Sequence, residues 1–345
     1  MKQKKVLIVA TSRQTRGGIT AVIKSHAKGQ QWKDFSCKWI QTHRDGNPGR
    51  KLAYLFIALI QYILLLPFYD IVHIHLTAGS SAIRKTIFFQ LAKLFKKKVI
   101  LHFHPASEIY LYQSNNRKRL SSLFSKADLV LVLSEQWKSW IQDALGGQFH
   151  IEVLYNPCPP VNRNIDMQEK NILFAGTVIP RKGYADLLRG FALIADRHKD
   201  WKIVFAGNGE VDEAKRLSGE LGISHQVVFL GWVSGPEKEL AFQKASIYCL
   251  ASSGEGFPMG VLDAWAYGIP CVVTPVGGLP DFVQDGVNGL VYPVGDVVAL
   301  SVQLEKYMTD VALRMSVVKE TDKLVNGPFN MVFVNKKLGD IYSKI

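Results

Sequence analysis

The feature that most constrains this chain is an alternation, kept up over 345 residues, of short apolar runs with longer amphipathic stretches. Val6–Thr11, Ile71–His75, Val99–His104 and Leu129–Ser134 are almost continuously apolar and rich in β-branched residues. Strands buried on both faces of a parallel sheet read this way. Helix-like segments such as Ile83–Phe95 and Asn116–Phe124 separate them. Beyond a proline-rich stretch near 157–168 the pattern restarts. Asn171–Ala175, Trp201–Ala206, Val227–Leu230, Ile247–Ala251 and Cys271–Thr274 read as strands. Tyr184–Arg197 and Pro236–Lys244 carry apolar residues at helical spacing. The chain is too long for one ordinary core. The pattern predicts the α/β class, with two successive doubly wound, Rossmann-like domains over 1–160 and 161–329 and a helix over 330–345. Ligands of such sheets bind beyond the carboxyl ends of the strands, so the chemistry is sought in the loops that follow them.

Charge separates the two halves. Residues 1–160 hold 23 lysines and arginines against 8 acids, whereas residues 161–345 hold 19 against 21. The first half is therefore suited to an anionic partner, although a solvated lysine-rich face has the same composition. With 48% hydrophobic and 21% charged residues the chain is neither disordered nor fibrous. Cys37, Cys158, Cys249 and Cys271 are scattered without a CxxC pair. They are expected to be reduced and mostly buried in a cytoplasmic protein, which argues against a disulfide framework or a thiolate zinc site. Val6–Ala10 is too short for the apolar core of a signal peptide. Leu52–Phe68 is apolar throughout except for Gln61, near the lower length limit of a membrane span. It runs straight into the strand pattern Asp70–His75, so a helix packed on the parallel sheet is expected. Arg84–Lys98 mixes apolar residues with a terminal lysine cluster, which fits either a helix docked on anionic lipid or a core helix with a solvated end.

Four loops carry chemical signals. After the first strand, Gly17 and Gly18 open a helical pattern and let backbone N–H groups approach an anion; a plain turn uses the same residues. After Asn171–Ala175 come Arg181, Lys182 and Gly183, a two-pronged donor beside a compact charge, suited to a diphosphate. After Trp201–Ala206 come Gly207 and Gly209. No complete GxGxxG follows the first strand of either half, which argues against a dinucleotide oxidoreductase. After Ile247–Ala251 the run from Gly254 to Pro270 sets Glu255 on a loop and Asp263 within the next helix, so two carboxylates reach one pocket from different depths. Asp263 near a helix start is also an ordinary dipole partner.

Glu255 to Asp263 resembles the E-x7-E signature of the retaining glycosyltransferases of family 4, which have the GT-B fold. The resemblance extends over nearly the whole chain: Gly17-Gly18, residues 70–75, 101–104 and 132–134, Asn156-Pro157, Arg181-Lys182-Gly183, Gly207-Asn208-Gly209, the run from Glu255 to Asp281, and Asp285 to Leu290. It implies two domains facing a central cleft, with the C-terminal helix crossing back to the first. It further implies that Arg181 and Lys182 hold the diphosphate of a UDP- or GDP-sugar, with Gly17 and Gly18 closing on it and Gly207 and Gly209 beside it. Glu255 then binds a hydroxyl of the transferred sugar, assisted by the backbone of Phe257, Pro258, Met259, Gly260, Val261 and Leu262. Asp263 binds the ribose and His104 sits beside the anomeric carbon.

Two positions depart from the family pattern. Asp263 stands where Glu is usual, which implies a longer or water-bridged ribose contact, and Pro105 follows His104 where Gly is usual. His102 shares a strand face with His104 and is an alternative operative histidine. The resemblance also implies retention of anomeric configuration and no metal or other cofactor; no Asp-x-Asp follows a strand in the second half. The acceptor is expected to be a saccharide or a lipid-linked saccharide. A peripheral position on the cytoplasmic membrane face is expected, and no nucleic-acid partner. A nucleotide-sugar epimerase, a non-catalytic sugar-nucleotide binder and a basic nucleic-acid-binding protein are the competing readings.

Overall fold

A computed structural model describes residues 3–44 and 46–345; Met1 and Lys2, the basic start of the chain, and Asp45 lie outside the described residues. The chain forms two compact units. The first comprises residues 1–157 together with 328–345, and the second runs from Cys158 to Gly327.

The first unit is built on a six-stranded sheet. In chain order its strands are β1 (Val6–Ala10), β2 (Lys38–Gln41), β3 (Ile71–Leu76), β4 (Lys98–Phe103), β5 (Leu129–Val132) and β6 (Ile151–Val153). The second unit carries β7 (Asn171–Ala175), β8 (Lys202–Ala206), β9 (Val227–Phe229), β10 (Ile247–Leu250), β11 (Cys271–Val273) and β12 (Leu290–Val291). All pairings are parallel. The spatial orders are β2-β1-β3-β4-β5-β6 and β12-β11-β10-β7-β8-β9. Each is a doubly wound sheet in which the winding reverses once, beside β1 and β3 in the first and beside β7 and β10 in the second. Loops at such a reversal diverge to opposite faces and leave a crevice between them.

Local sequence explains the element ends. Ser134 caps the helix Glu135–Leu145 by accepting the Trp137 N–H at 3.2 Å, and Gly146 ends it in the left-handed region at φ 63°. The C-terminal helix Met331–Lys344 starts at Asn330, whose side chain accepts the Val332 N–H at 2.9 Å. It packs into the first unit, where Val334, Leu338, Ile341 and Tyr342 join Val6, Ile8, Ile71 and Leu131 in one core. The second unit has its own core around Ile172, Leu187, Phe191, Ile203, Phe205 and Ile247.

The segment Leu52–Phe68 lies in the helix Pro48–Leu65 and the short turn that extends it to Phe68. It packs on the first unit through a narrow stripe, in which Ala58, Tyr62 and Leu66 are the buried residues of the segment. Its outward face carries Leu52, Phe56, Ile57, Ile60, Ile63 and Leu64, all exposed. The helix is thus apolar on both faces, and the fold covers one of them.

Candidate functional site

In the second unit the loops after the neighbouring strands β7 and β10 meet. Arg181 and Lys182 lie in the tight turn Pro180–Lys182, which Gly183 closes at φ 69° before the helix Tyr184–Ala192. A side chain on Gly183 would run into the carbonyl of Ala251 at the end of β10, so glycine is required on two counts. The Ser253 N–H donates to the Arg181 carbonyl at 2.8 Å and ties the two loops together. A third loop, after β11, supports them: the Gly278 N–H donates to the Gly256 carbonyl at 2.9 Å.

These constraints bring three of the sequence-predicted residues to one point. Lys182 Nζ donates to Glu255 Oε1, and Arg181 Nη1 lies 3.8 Å from the same oxygen. The Ser252 hydroxyl donates to it as well, at 2.7 Å. Arg181 also donates to the Gly254 carbonyl. Glu255 is buried, whereas the side chains of Arg181 and Lys182 keep 33% and 20% of their exposure. Two cations thus share one enclosed carboxylate, leaving an excess positive charge at the crevice. A diphosphate is attracted to such a spot, and partial desolvation strengthens the attraction.

Asp263 is held separately. It lies in the helix Met259–Ala266 and pairs with Lys238 at 2.7 Å. Burial lifts its carboxyl above the usual range, and Lys238 pulls in the opposite direction. Phe257 and Pro258 lead into this helix, and Pro258 caps it without a side-chain hydrogen bond. Met259 and Gly260 are half-buried at its start, while Val261 and Leu262 are fully enclosed, so their side chains serve the core. Tyr248 lies beneath this turn. A side chain on Gly260 would strike its hydroxyl, and burial with the charges of Cys271, Glu255 and Asp263 drives its phenol well above the ordinary range. Gly207 follows β8, and a Cβ there would collide with the Gly176 carbonyl. Gly209 bridges to Val178 in extended pairing. Ser252, Lys238 and Tyr248 were not anticipated from sequence.

In the first unit Gly17, at φ 137°, caps the helix Gly18–His26. His104 follows β4 directly, and its Nε2 lies 3.0 Å from His75 Nδ1. It keeps 7% exposure, against none for His102, whose two ring nitrogens are enclosed without a hydrogen-bond partner. Burial, reinforced by His26, lowers the His104 pKa to about 3. His73, His75 and His102 bring ligating atoms within 4.8 Å of one another. Two of the three ring pairs are stacked, however, His73 and His102 at 5.4 Å and 13° and His73 and His75 at 4.4 Å and 25°, and His75 and His102 are tilted at 36°. Imidazole lone pairs lie in the ring plane, so stacked faces do not converge on an ion as metal ligands must. Cys158, Cys249 and Cys271 are buried, Cys37 is half-buried, and all four are free.

Residues 157–324 match the family model of the glycosyl transferases group 1. An uncharacterized glycosyltransferase of Methanocaldococcus jannaschii is 29% identical over 248 residues, which is 70% of this chain and 61% of the relative. The lipopolysaccharide 1,6-galactosyltransferase of Escherichia coli is 29% identical over 205 residues, 56% of each chain. The chain thus spans about three fifths of the length of these curated relatives. Anabaena HepE, solved with UDP-glucose, superposes with a TM-score of 0.79 over 99% of this chain and 100% of its own at 17% identity. The architecture is GT-B, two parallel-sheet α/β domains, and the matches support a glycosyltransferase.

Proposed function

We propose that this protein is a retaining, metal-independent glycosyltransferase that moves a hexose from a nucleotide diphosphate sugar to a saccharide or lipid-linked acceptor. The convergence of Arg181 and Lys182 on Glu255 at the winding reversal of the second sheet carries the reading. When the bond from the anomeric carbon to the phosphate oxygen breaks, the electron pair leaves with the diphosphate. The acceptor oxygen bonds to that carbon, and its proton passes to the departing phosphate. The two cations take up the charge of the leaving diphosphate, which is the work a divalent ion does elsewhere. Glu255 then turns from its ion pairs to a hydroxyl of the sugar, and Asp263, paired with Lys238, takes the ribose. Similarity to a structure holding UDP-glucose favours a UDP-sugar over a GDP-sugar. Relatedness to a lipopolysaccharide galactosyltransferase favours surface polysaccharide or glycolipid synthesis. Acceptor recognition falls to the basic first unit.

The test is release of nucleoside diphosphate from a panel of nucleotide sugars, with the anomeric configuration of the product followed by NMR. Lys182→Ala and Arg181→Ala should each lower kcat/KM on the order of 100-fold, as loss of one transition-state donor does, with thermal stability retained. Full turnover in both variants overturns the assignment, and conversion of the donor to its epimer identifies an epimerase instead.

A further inference from the structure

The apolar outer face of the helix Pro48–Leu65 is the largest feature of the first unit that sugar transfer leaves unexplained. Leu52, Phe56 and Leu64 are 69%, 64% and 67% exposed. Opposite them, Tyr62 is enclosed, donates its hydroxyl to the Phe88 carbonyl at 2.8 Å and meets the Phe88 ring edge-on. Phe88 belongs to the helix Ser80–Leu94, which exposes Ile83, Ile87 and Leu94 of its own. Cations flank the outer face of Pro48–Leu65 at both ends. Arg50 and Lys51 are exposed at its start, and exposed Lys96 lies beside its end, where Lys97 Nζ donates to the Pro67 carbonyl at 3.2 Å. On the far side of Ser80–Leu94, Ile83 also lines a groove of about 910 Å³ that is rimmed by Lys118, Arg119 and Lys126.

We propose that this face docks the protein on the surface of an anionic phospholipid bilayer, with the helix lying in the interfacial plane. An exposed apolar stripe bordered by basic residues has the chemistry of that interface: alkyl and aromatic side chains enter the acyl boundary while lysines and arginines meet the phosphates. The segment is long and apolar enough to cross a membrane, but the fold opposes a span. Its ends are tied within a few residues to β2 and β3, which flank β1 in one sheet, and its inner stripe is part of the unit's interior. The helix therefore lies along the unit. A second copy of the chain would cover apolar surface too, yet it would bring the same basic rim against this one, and like charges would oppose the contact.

The test uses the full chain without any sugar donor, so its outcome is independent of the glycosyltransferase reading. Co-sedimentation is measured with vesicles of phosphatidylcholine alone and of phosphatidylcholine with phosphatidylglycerol. Binding should appear with the anionic vesicles and weaken as salt is raised. The double variant Phe56→Glu/Ile60→Glu, altered at exposed positions, should reduce it at least tenfold while keeping the parent thermal transition. Lys51→Glu/Lys96→Glu should weaken binding to anionic vesicles alone. The proposal is overturned if neither vesicle is bound, if the first variant binds as the parent does, or if binding ignores lipid charge. Concentration-dependent dimers abolished by Phe56→Glu/Ile60→Glu, without vesicle binding, assign the face to a second copy.

Discussion

Five imidazoles, His26, His73, His75, His102 and His104, are enclosed in the first unit. Burial depresses each, with His26 falling to about 4 and His104 to about 3. In the unfolded chain the same groups take up protons near 6.5. Between 6.5 and those lowered values the unfolded state binds more protons, so stability is full above pH 6.5 and falls as acid is added. Each group contributes up to about 1.4 kcal/mol per pH unit in that window. Urea unfolding of the protein should lose several kcal/mol from pH 6.5 to 5, and His102→Leu should make the loss shallower; a flat profile contradicts this account. Residues such as these were only half visible in the sequence. Arg181, Lys182 and Glu255 were legible because each follows a strand and belongs to an ordered motif. Ser252, Lys238 and Tyr248 carry no spacing signal, and neighbouring strands and helices bring them to the carboxylates only once the sheet has formed.

The C-terminal helix Met331–Lys344 is fastened by polar contacts inside an apolar interface. His26 Nδ1 lies 2.8 Å from Asn335 Oδ1, which also accepts from Gln31 Nε2 at 3.1 Å, and His73 Nδ1 lies 2.7 Å from the Tyr342 hydroxyl. Asn335→Leu should cost about 1–3 kcal/mol, because buried His26 loses its partner and Gln31 one of two, and denaturant titration reads the loss directly. The interior strands were legible as continuous apolar runs. β2 (KWIQ), β6 (IEV) and β12 (LV) were missed because they are short edge strands; polar residues interrupt the first two, and two residues are too few to show a pattern in the third. For Pro48–Leu65 the helix was legible, but its bare outer face was not. Composition gives its length and apolarity, but a core helix and a helix with a bare apolar face share both.

At the level of the molecule, each unit closes its own core. Residues 158–327 expressed alone should therefore unfold cooperatively and bind UDP in a calorimetric titration, with Lys182→Ala weakening that binding at least tenfold. Residues 1–157 alone lack Val334, Leu338, Ile341 and Tyr342 and should be cleaved by protease until 328–345 is fused back. The two-unit organisation was legible from the restart of the strand pattern, whereas the membership of 328–345 in the first unit rested on the family resemblance, since a helix's own sequence does not name the core it enters. This split membership bears on how the protein is made. A ribosome delivers the first unit's sheet early and its closing helix only after the intervening 170 residues have emerged, roughly 10 to 40 s later. The nascent amino-terminal portion waits through that interval with an open hydrophobic slot. The second unit, translated in one piece, is free to finish first. Chaperone demand in the cell should accordingly track the first unit, not the second.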